Sequence, residues 1–479
     1  MNYSMVLYLL GWILLCEGAL LLLPALVSAL YLEPAAASFV LTAALCAVLG
    51  FAMTRRKPAN RVFYIREGFV ITALSWVVIS VMGAVPFLLT GAVASPIDAL
   101  FETVSGFTTT GASILPDVES LPRGLLFWRS FTHWIGGMGV LVFLLSLLLL
   151  AGGSHVNLMK AESPGPQVEK LVPKVQSTAK ILYGIYFVLT VAEIVLLLLG
   201  GMPLFDSITL SFGTAGTGGF GVRNDSIAGY SPYLQGVITV FMILFGVNFN
   251  AYFFIMLRKF RRAAAMEEVR CYFGVILASI LVITWDIRGL AGSLFTALRQ
   301  AAFQVASIIT TTGYATADFD LWPSASKTIL VLLMFVGACA GSTGGGIKVS
   351  RFLLLFKTIR KELRSFLHPN SVSPIIMDGK TVPHGVIRSL NVFIGLYIAL
   401  FGVSVLLISF NGFDLITNFT AVAATLNNIG PGLALVGPTQ NFCLFAGWAK
   451  LVLIFDMLAG RLELFPLLLL FSQETWKRF

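Results

Sequence analysis

Charge is scarce in this chain. Asp, Glu, Lys and Arg make up 11% of its 479 residues, whereas soluble domains carry about 25%, so an ordinary globular protein wetted on all sides is excluded. Histidine is rarer still, and the four, His133, His155, His368 and His384, are too far apart to act as paired ligands. No Ser-His-Asp set and no pair of working carboxylates stands out, so the chain is not expected to be an enzyme. The five cysteines, Cys16, Cys46, Cys271, Cys339 and Cys443, include no CxxC pair, which argues against a disulfide framework or a thiolate metal site. Two glycine motifs lack their context. Gly216-Thr217-Gly218-Gly219-Phe220-Gly221 satisfies GxGxxG but follows no strand, and in Gly341 to Lys348 an isoleucine separates glycine from lysine with no Ser or Thr directly after. No nucleotide is expected on this chain.

What is present is apolar. Hydrophobic residues make up 57% of the chain and its mean hydropathy is +0.89, the signature of a polytopic protein embedded in a lipid bilayer. The net charge of +9 is not a nucleic-acid signal, because the basic residues lie in short clusters between apolar runs, as topology determinants do. Residues 5–31 and 36–53 form an apolar hairpin broken at Glu33-Pro34 and followed by Arg55-Arg56-Lys57. Each arm approaches the roughly 20 residues that a span requires. The first run has no Lys or Arg before it and exceeds the roughly 7–15 residues of a signal-peptide core, so it is expected to be retained. A unit then repeats four times: a spanning helix, a short amphiphilic segment ending in a polar glycine loop, and a second spanning helix ending in positive charge. Its parts are expected at 69–90, 96–111 and 125–150; at 181–200, 203–219 and 234–257; at 272–290, 297–313 and 327–355; and at 390–410, 414–430 and 445–471. The expected fold is an all-α integral membrane protein, with two N-terminal transmembrane helices plus four tandem helix–pore loop–helix repeats around a central pore. Its divisions are 1–58, 59–160, 161–264, 265–370 and 371–479.

The polar segments are most alike in repeats 1 and 3, where Thr108-Thr109-Thr110-Gly111 and Thr310-Thr311-Thr312-Gly313 are identical; Thr217-Gly218-Gly219 and Asn428-Ile429-Gly430 are weaker echoes. Ser95-Pro96-Ile97-Asp98 reads as the start of a short helix, with a capping serine, proline at the first position and an early acid. Of the 32 Lys and Arg residues, 24 fall on one set of alternate loops, seven on the other, and Arg461 lies inside an apolar run. By the positive-inside rule the basic loops and both termini are cytoplasmic, and the four glycine loops enter and leave from outside. Irregular backbone at membrane depth is tolerated where it is buried in protein or lines a wet cavity, so four such loops are best used facing each other about water. Glycine reaches φ > 0 without a Cβ clash, letting successive carbonyl oxygens point to one side. Four loops doing so form a ring of oxygens able to replace the hydration shell of a potassium ion, and the partly negative ends of the short helices favour a cation there. The competing reading is that Thr and Gly merely allow close helix packing.

Several stretches together resemble one family. The loop from Ser105 to Ser113, Phe131-Thr132-His133-Trp134-Ile135-Gly136-Gly137-Met138-Gly139, Gly218-Gly219-Phe220, Thr310-Thr311-Thr312-Gly313-Tyr314, Leu426-Asn427-Asn428-Ile429-Gly430-Pro431-Gly432 and Gly460-Arg461-Leu462-Glu463 look like the Trk/Ktr/HKT superfamily of potassium transporters. The match covers essentially the whole chain, and the amino-terminal hairpin makes it more similar to TrkH-type membrane subunits than to the shorter Ktr type. The resemblance implies potassium uptake across the cytoplasmic (inner) membrane of a bacterium, with the potassium ion as substrate. It implies a filter lined by Thr110, Gly111, Gly218, Gly219, Thr312, Gly313, Ile429 and Gly430. It also implies a homodimer and a cytosolic TrkA-type nucleotide-binding regulatory ring docked on the basic inner face. Sodium-type plant relatives carry serine at the first filter position, so Gly111 favours potassium. Repeats 2 and 4 depart from Thr-Thr-Gly, so the ring is not four-fold symmetric and its selectivity is expected to be weaker than a tetrameric potassium channel's. A secondary transporter of another small solute, with broken helices at the midplane, and a poorly selective monovalent cation channel are the alternatives.

A second polar interruption runs from Gly337 to Gly346, with five glycines in ten residues. At about 1 kcal/mol per glycine relative to alanine, a helix cannot persist there. The break follows the third filter loop and precedes Lys348 and Arg351, which places it below the filter, and in the family a loop at this position looks like the gate. The other reading is a close-packing kink. The expected gate residues are Gly337, Gly341, Gly344, Gly345, Gly346 and Arg461. Arg461 either faces the cavity beneath the filter as a barrier to cations or pairs with Asp456 or a carboxylate of another repeat; Glu463, two residues on, projects differently. Glu17 and Glu193, also in apolar runs, are expected to make interhelical hydrogen bonds.

Overall fold

The computed structural model describes residues 1–58, 64–139, 175–369 and 373–477. The stretch 140–150 of the first repeat's second span, His155 and the basic residues Arg61, Lys160, Lys170, Lys174 and Arg478 lie outside the described residues. Helices α1 (Tyr3–Leu30) and α2 (Ala35–Thr54) form the expected hairpin. Two glycines set its closeness: a Cβ on Gly11 would meet the Gly50 carbonyl oxygen at 2.9 Å, and one on Gly50 the Gly11 carbonyl oxygen at 2.7 Å. Small residues permit such backbone approach inside a membrane.

Four further helices long and apolar enough to cross a bilayer open the four repeats: α3 (Ile65–Leu89), α6 (Val175–Leu199), α11 (Glu267–Ile287) and α15 (His384–Ser409). Their outward faces carry exposed Val188, Leu199, Leu277, Ile398 and Leu406, surfaces suited to hydrocarbon rather than water. Each is followed by a short helix, respectively α4 (Pro96–Phe107), α7 (Leu204–Gly216), α12 (Leu294–Ile309) and α16 (Leu415–Leu426). Three of these start as local chemistry dictates. The Ser95, Ser293 and Asp414 side chains accept from the amides of Asp98, Thr296 and Thr417 at 3.4, 3.1 and 3.1 Å, satisfying N–H groups that a helix start leaves unpaired.

The second helices are α5 (Arg123–Gly137), α8 (Pro232–Phe245), α13 (Ser324–Val336) and α17 (Gly447–Arg461). The continuous spans expected at 234–257, 327–355 and 445–471 are all interrupted. After α8 the chain turns by 91° into α9 (Phe249–Met256). Gly246 ends α8 against the Tyr272 hydroxyl, and Asn248 caps α9, its Oδ1 accepting from the Asn250 amide at 3.0 Å. A short α10 (Phe260–Ala265) then leads into α11. Helix α13 stops at Gly337, with φ +70, and the chain becomes helical again in α14 (Val349–Leu367). Helix α17 ends before Glu463 and Leu464, both at positive φ, and α18 (Phe465–Leu469) and α19 (Gln473–Trp476) follow. The Tyr3 hydroxyl donates to the Trp476 carbonyl at 2.7 Å, so the start of α1 touches the end of α19. One strand pair, β1 (Ile376–Met377) with β2 (Lys380–Thr381), is antiparallel. Its turn, Asp378-Gly379, has φ of +49 and +76, the type I′ geometry that this dipeptide favours.

Candidate functional site

Four loops leave the carboxyl ends of α4, α7, α12 and α16 with one shared backbone pattern. Left-handed φ recurs at alternate positions, Thr109 and Gly111, Thr217 and Gly219, Thr311 and Gly313, Asn428 and Gly430, with values from +54 to +95. Such alternation turns carbonyl oxygens toward one side. Three threonines and an asparagine hold a conformation that costs an L-residue roughly 1–2 kcal/mol, strain of the kind that surrounding structure must impose.

The loops meet in cyclic order. A Cβ on Gly111 would overlap the carbonyl oxygen of Gly218, one on Gly219 that of Thr312, and one on Gly313 that of Ile429; one on Gly430 would lie 3.0 Å from the carbonyl oxygen of Thr110. Each glycine therefore abuts the residue that precedes the glycine of the next repeat, and the fourth returns to the first. The fold brings all eight residues of the expected filter into one closed ring.

Buried bonds fix the ring. Thr108 and Thr310 donate their hydroxyls to the Val104 and Ala306 carbonyls at 2.6 and 2.7 Å and lie 2.8 Å from the hydroxyls of Thr110 and Thr312. In repeat 4 the Asn428 amide reaches across, donating to Thr110 Oγ1 and the Met457 carbonyl at 2.9 Å each. His133 of α5 joins the first two loops. Its Nδ1 lies 2.8 Å from the Gly106 carbonyl and its Nε2 accepts from the Phe220 amide at 3.3 Å, which assigns the proton to Nδ1. The imidazole fills the space where a side chain at 218 would stand, so repeat 2 has glycine where repeats 1 and 3 have threonine.

A buried ion pair braces the exits of the same two loops. Glu102, 1% exposed, and Arg129, 3% exposed, meet at 2.7 Å. Glu102 also accepts from the Ile114 amide at 3.0 Å, and Arg129 donates to the Gly221 carbonyl at 3.3 Å. Removing one partner of such a pair leaves a bare buried charge, at a cost of about 3–5 kcal/mol. Arg129→Met should therefore lower the thermal unfolding midpoint of the purified protein, and an unshifted midpoint would show that the pair adds no stability. Nearer the surface, the Asn224 amide bonds Asp117 at 2.8 Å and holds its carboxyl below the usual range.

Against the side of the loops from which the short helices enter lies the Gly337 to Gly346 segment. The Gly345 amide donates to Thr311 Oγ1 at 2.6 Å. A Cβ on Gly344 would come within 2.9 Å of the Thr310 carbonyl oxygen, and one on Gly345 within 2.5 Å of that of Asn427, so close approach requires glycine at both positions. Gly337, Gly341 and Gly346 adopt φ of +70, +67 and +75, and Lys348 donates its ammonium to the Gly344 carbonyl. Arg461 donates to the Thr343 carbonyl at 3.0 Å and to the Gly136 and Gly137 carbonyls at 2.5 and 2.9 Å. It thus sits where repeats 1, 3 and 4 meet, on carbonyls at the partly negative end of α5. Asp456 accepts from the Ser404 hydroxyl at 2.7 Å, and Glu463 pairs with Arg351 at 2.5 Å. Neither carboxylate oxygen of Glu17 has a hydrogen-bond partner among the described residues, so the interhelical bond expected there is not seen. Sequence reading missed the bridging role of His133 and the Glu102–Arg129 pair. Glu102 and Arg129 offered a signal, as opposite charges on neighbouring short and long helices of one repeat.

A sequence model of the TrkH family, described as cation transport protein, matches residues 34–287 and 290–478. The Trk system potassium uptake protein TrkH of Salmonella typhimurium is 37% identical over 486 residues, covering 100% of both chains. That of Escherichia coli K12 is 36% identical over the same length and coverage. Among solved structures, the potassium transporter TrkH from Vibrio parahaemolyticus superimposes with a TM-score of 0.88 at 34% identity, covering 100% of each chain.

Proposed function

This chain belongs to the TrkH family of cation transport proteins, and on that premise we propose that it takes up potassium across the cytoplasmic membrane of a bacterium. The observation that carries the reading is the closed ring in which Gly111, Gly219, Gly313 and Gly430 each abut the carbonyl before the next repeat's glycine. A potassium ion entering it exchanges water for carbonyl oxygens of Thr110, Gly218, Thr312 and Ile429 and of the glycines that follow them. Four helix ends aimed at the ring lower the energy of a cation there. The His133 and Asn428 bonds hold the ring at a set width, which favours one ion size.

Beyond the filter, the Gly337 to Gly346 segment and Arg461 act as the gate, closing the path with backbone and with positive charge. Opening falls to a cytosolic nucleotide-binding ring of the TrkA type docked on the basic face, and the chain works as a homodimer. The contact of Tyr3 with Trp476 supports both termini on one side, and the positive-inside rule makes that side cytoplasmic. The divisions 1–58, 59–160, 161–264, 265–370 and 371–479 then serve as an anchoring hairpin and four pore repeats. Rubidium uptake by the purified protein in proteoliposomes is the test. The expected result is a low basal uptake, suppressed by external potassium at concentrations where sodium has little effect; equal suppression by both ions overturns the reading.

A further inference from the structure

The first turn of α11 carries two adjacent acids that face opposite ways. Glu268 points inward and is 3% exposed. Its Oε1 accepts from the Ala340 amide at 2.6 Å and from the Ser350 amide at 3.2 Å, and its Oε2 from the Asn248 side-chain amide at 3.1 Å. One carboxylate therefore holds the entry half of the glycine-rich segment, the first turn of α14 where that segment ends, and the break between α8 and α9. The segment is tied to that break by backbone bonds as well, Cys339 to Gly246 at 3.1 Å and Phe249 to Gly341 at 3.0 Å. Glu267 points toward the surface. It pairs with Lys357 of α14, accepts from the Asp378 amide at 3.1 Å, and its own amide donates to Asp378 Oδ1 at 2.7 Å. Lys357 also donates to the Ile376 carbonyl at 2.6 Å. The strand pair at 376–381 is thus fastened to the same helical turn that grips the gate.

We infer that Glu268 is a positioning residue that latches the glycine-rich segment under the ring, and that Glu267 connects this latch to the 376–381 hairpin on the basic face. The inference rests on the gate reading given above. Two neighbouring residues of one helical turn share a rigid backbone, so a displacement of the hairpin that drags Glu267 moves Glu268 with it. Charged acceptors make hydrogen bonds roughly twice as strong as neutral ones, so the carboxylate of Glu268 sets how firmly the segment is held. Room for release exists beside the neck of the segment, where the Ile347 amide donates to the Phe335 carbonyl at 3.3 Å. Both residues line an apolar cavity of about 320 Å³, together with Tyr397 and Phe401.

The test is rubidium uptake into proteoliposomes holding the full chain without any cytosolic partner. Glu268→Gln should raise uptake roughly 5- to 150-fold, the range that such coupling energies span, with the preference for potassium over sodium unchanged. Glu268→Asp should return uptake toward the wild-type level, and Glu267→Gln should shift it in the same direction as Glu268→Gln by less. A variant lacking Gly344 to Gly346 separates the two readings. If it conducts no more than wild type, the gate assignment fails. If it conducts more while Glu268→Gln and Glu267→Gln match wild type, the latch alone is overturned. Should Glu268→Gln not fold, Asn248→Asp, which sets a second carboxylate against Glu268, decides: uptake equal to wild type overturns the latch.

Discussion

Gly111→Ser should cut rubidium uptake by roughly tenfold or more, the effect of about 1.4 kcal/mol on the rate-limiting barrier, and weaken discrimination against sodium in whatever flux remains. Two separate costs lead there. Gly111 has φ +77, a conformation that costs a residue with a Cβ roughly 1–2 kcal/mol. Its Cβ would also overlap the Gly218 carbonyl oxygen, which must move, and that oxygen is one of those assigned to the ion. The two costs can be told apart at Gly91, which has φ +71 but nothing within 4 Å of where a Cβ would lie. Gly91→Ala should leave rubidium uptake and ion preference as they are, whatever it does to stability. Unaltered flux and unaltered sodium discrimination in Gly111→Ser would sink the filter assignment.

Arg461→Gln is the second large effect, in the opposite direction. At an effective dielectric of ~20, a unit charge raises the energy of a cation that passes within ~7 Å of it by about 2–3 kcal/mol. Removing it should raise partner-free rubidium uptake by roughly 30- to 140-fold, at ~1.4 kcal/mol per factor of ten. The substitution also weakens the tie to the Thr343 carbonyl of the glycine-rich segment and to the Gly136 and Gly137 carbonyls of α5. Arg461→Lys separates charge from tether, because lysine keeps the charge but lacks the planar fork that reaches several carbonyls at once. If Lys behaves as wild type and Gln conducts, the charge is the barrier; if both conduct alike, the tether is. Uptake unchanged in both would remove Arg461 from the gate.

Much of this arrangement can be read along the chain, and the unreadable parts have a common cause. Hydropathy marks the spanning helices because lipid leaves little choice of residue. Repeats 1 and 3 stand out because their Thr-Thr-Thr-Gly stretches use the same local hydroxyl bonds. Repeat 2 looks degenerate until the imidazole of His133, on a different helix, is seen in the place of its missing side chain. The bend after Phe245 is hidden for the same reason: the run stays apolar through it, and what ends the helix is one glycine against the Tyr272 hydroxyl of a later repeat. The hairpin at 376–381 went unread, because strands of two residues are too short to show a period and only its Asp378-Gly379 dipeptide carries a turn preference. Local chemistry is legible, whereas contacts between repeats appear only once the chain is folded.

The order in which the glycines meet has a consequence for how such a protein can change. Because the four quarters of the ring are consecutive stretches of one polypeptide, a single substitution alters one quarter and spares three. An assembly of identical subunits would write every substitution four times, and a plug projecting from each would crowd the axis with four copies. Here the glycine-rich segment comes from the third quarter, and the guanidinium that holds its Thr343 carbonyl comes from the fourth and rests in turn on carbonyls of the first. That division of labour is open only to a chain whose quarters can diverge.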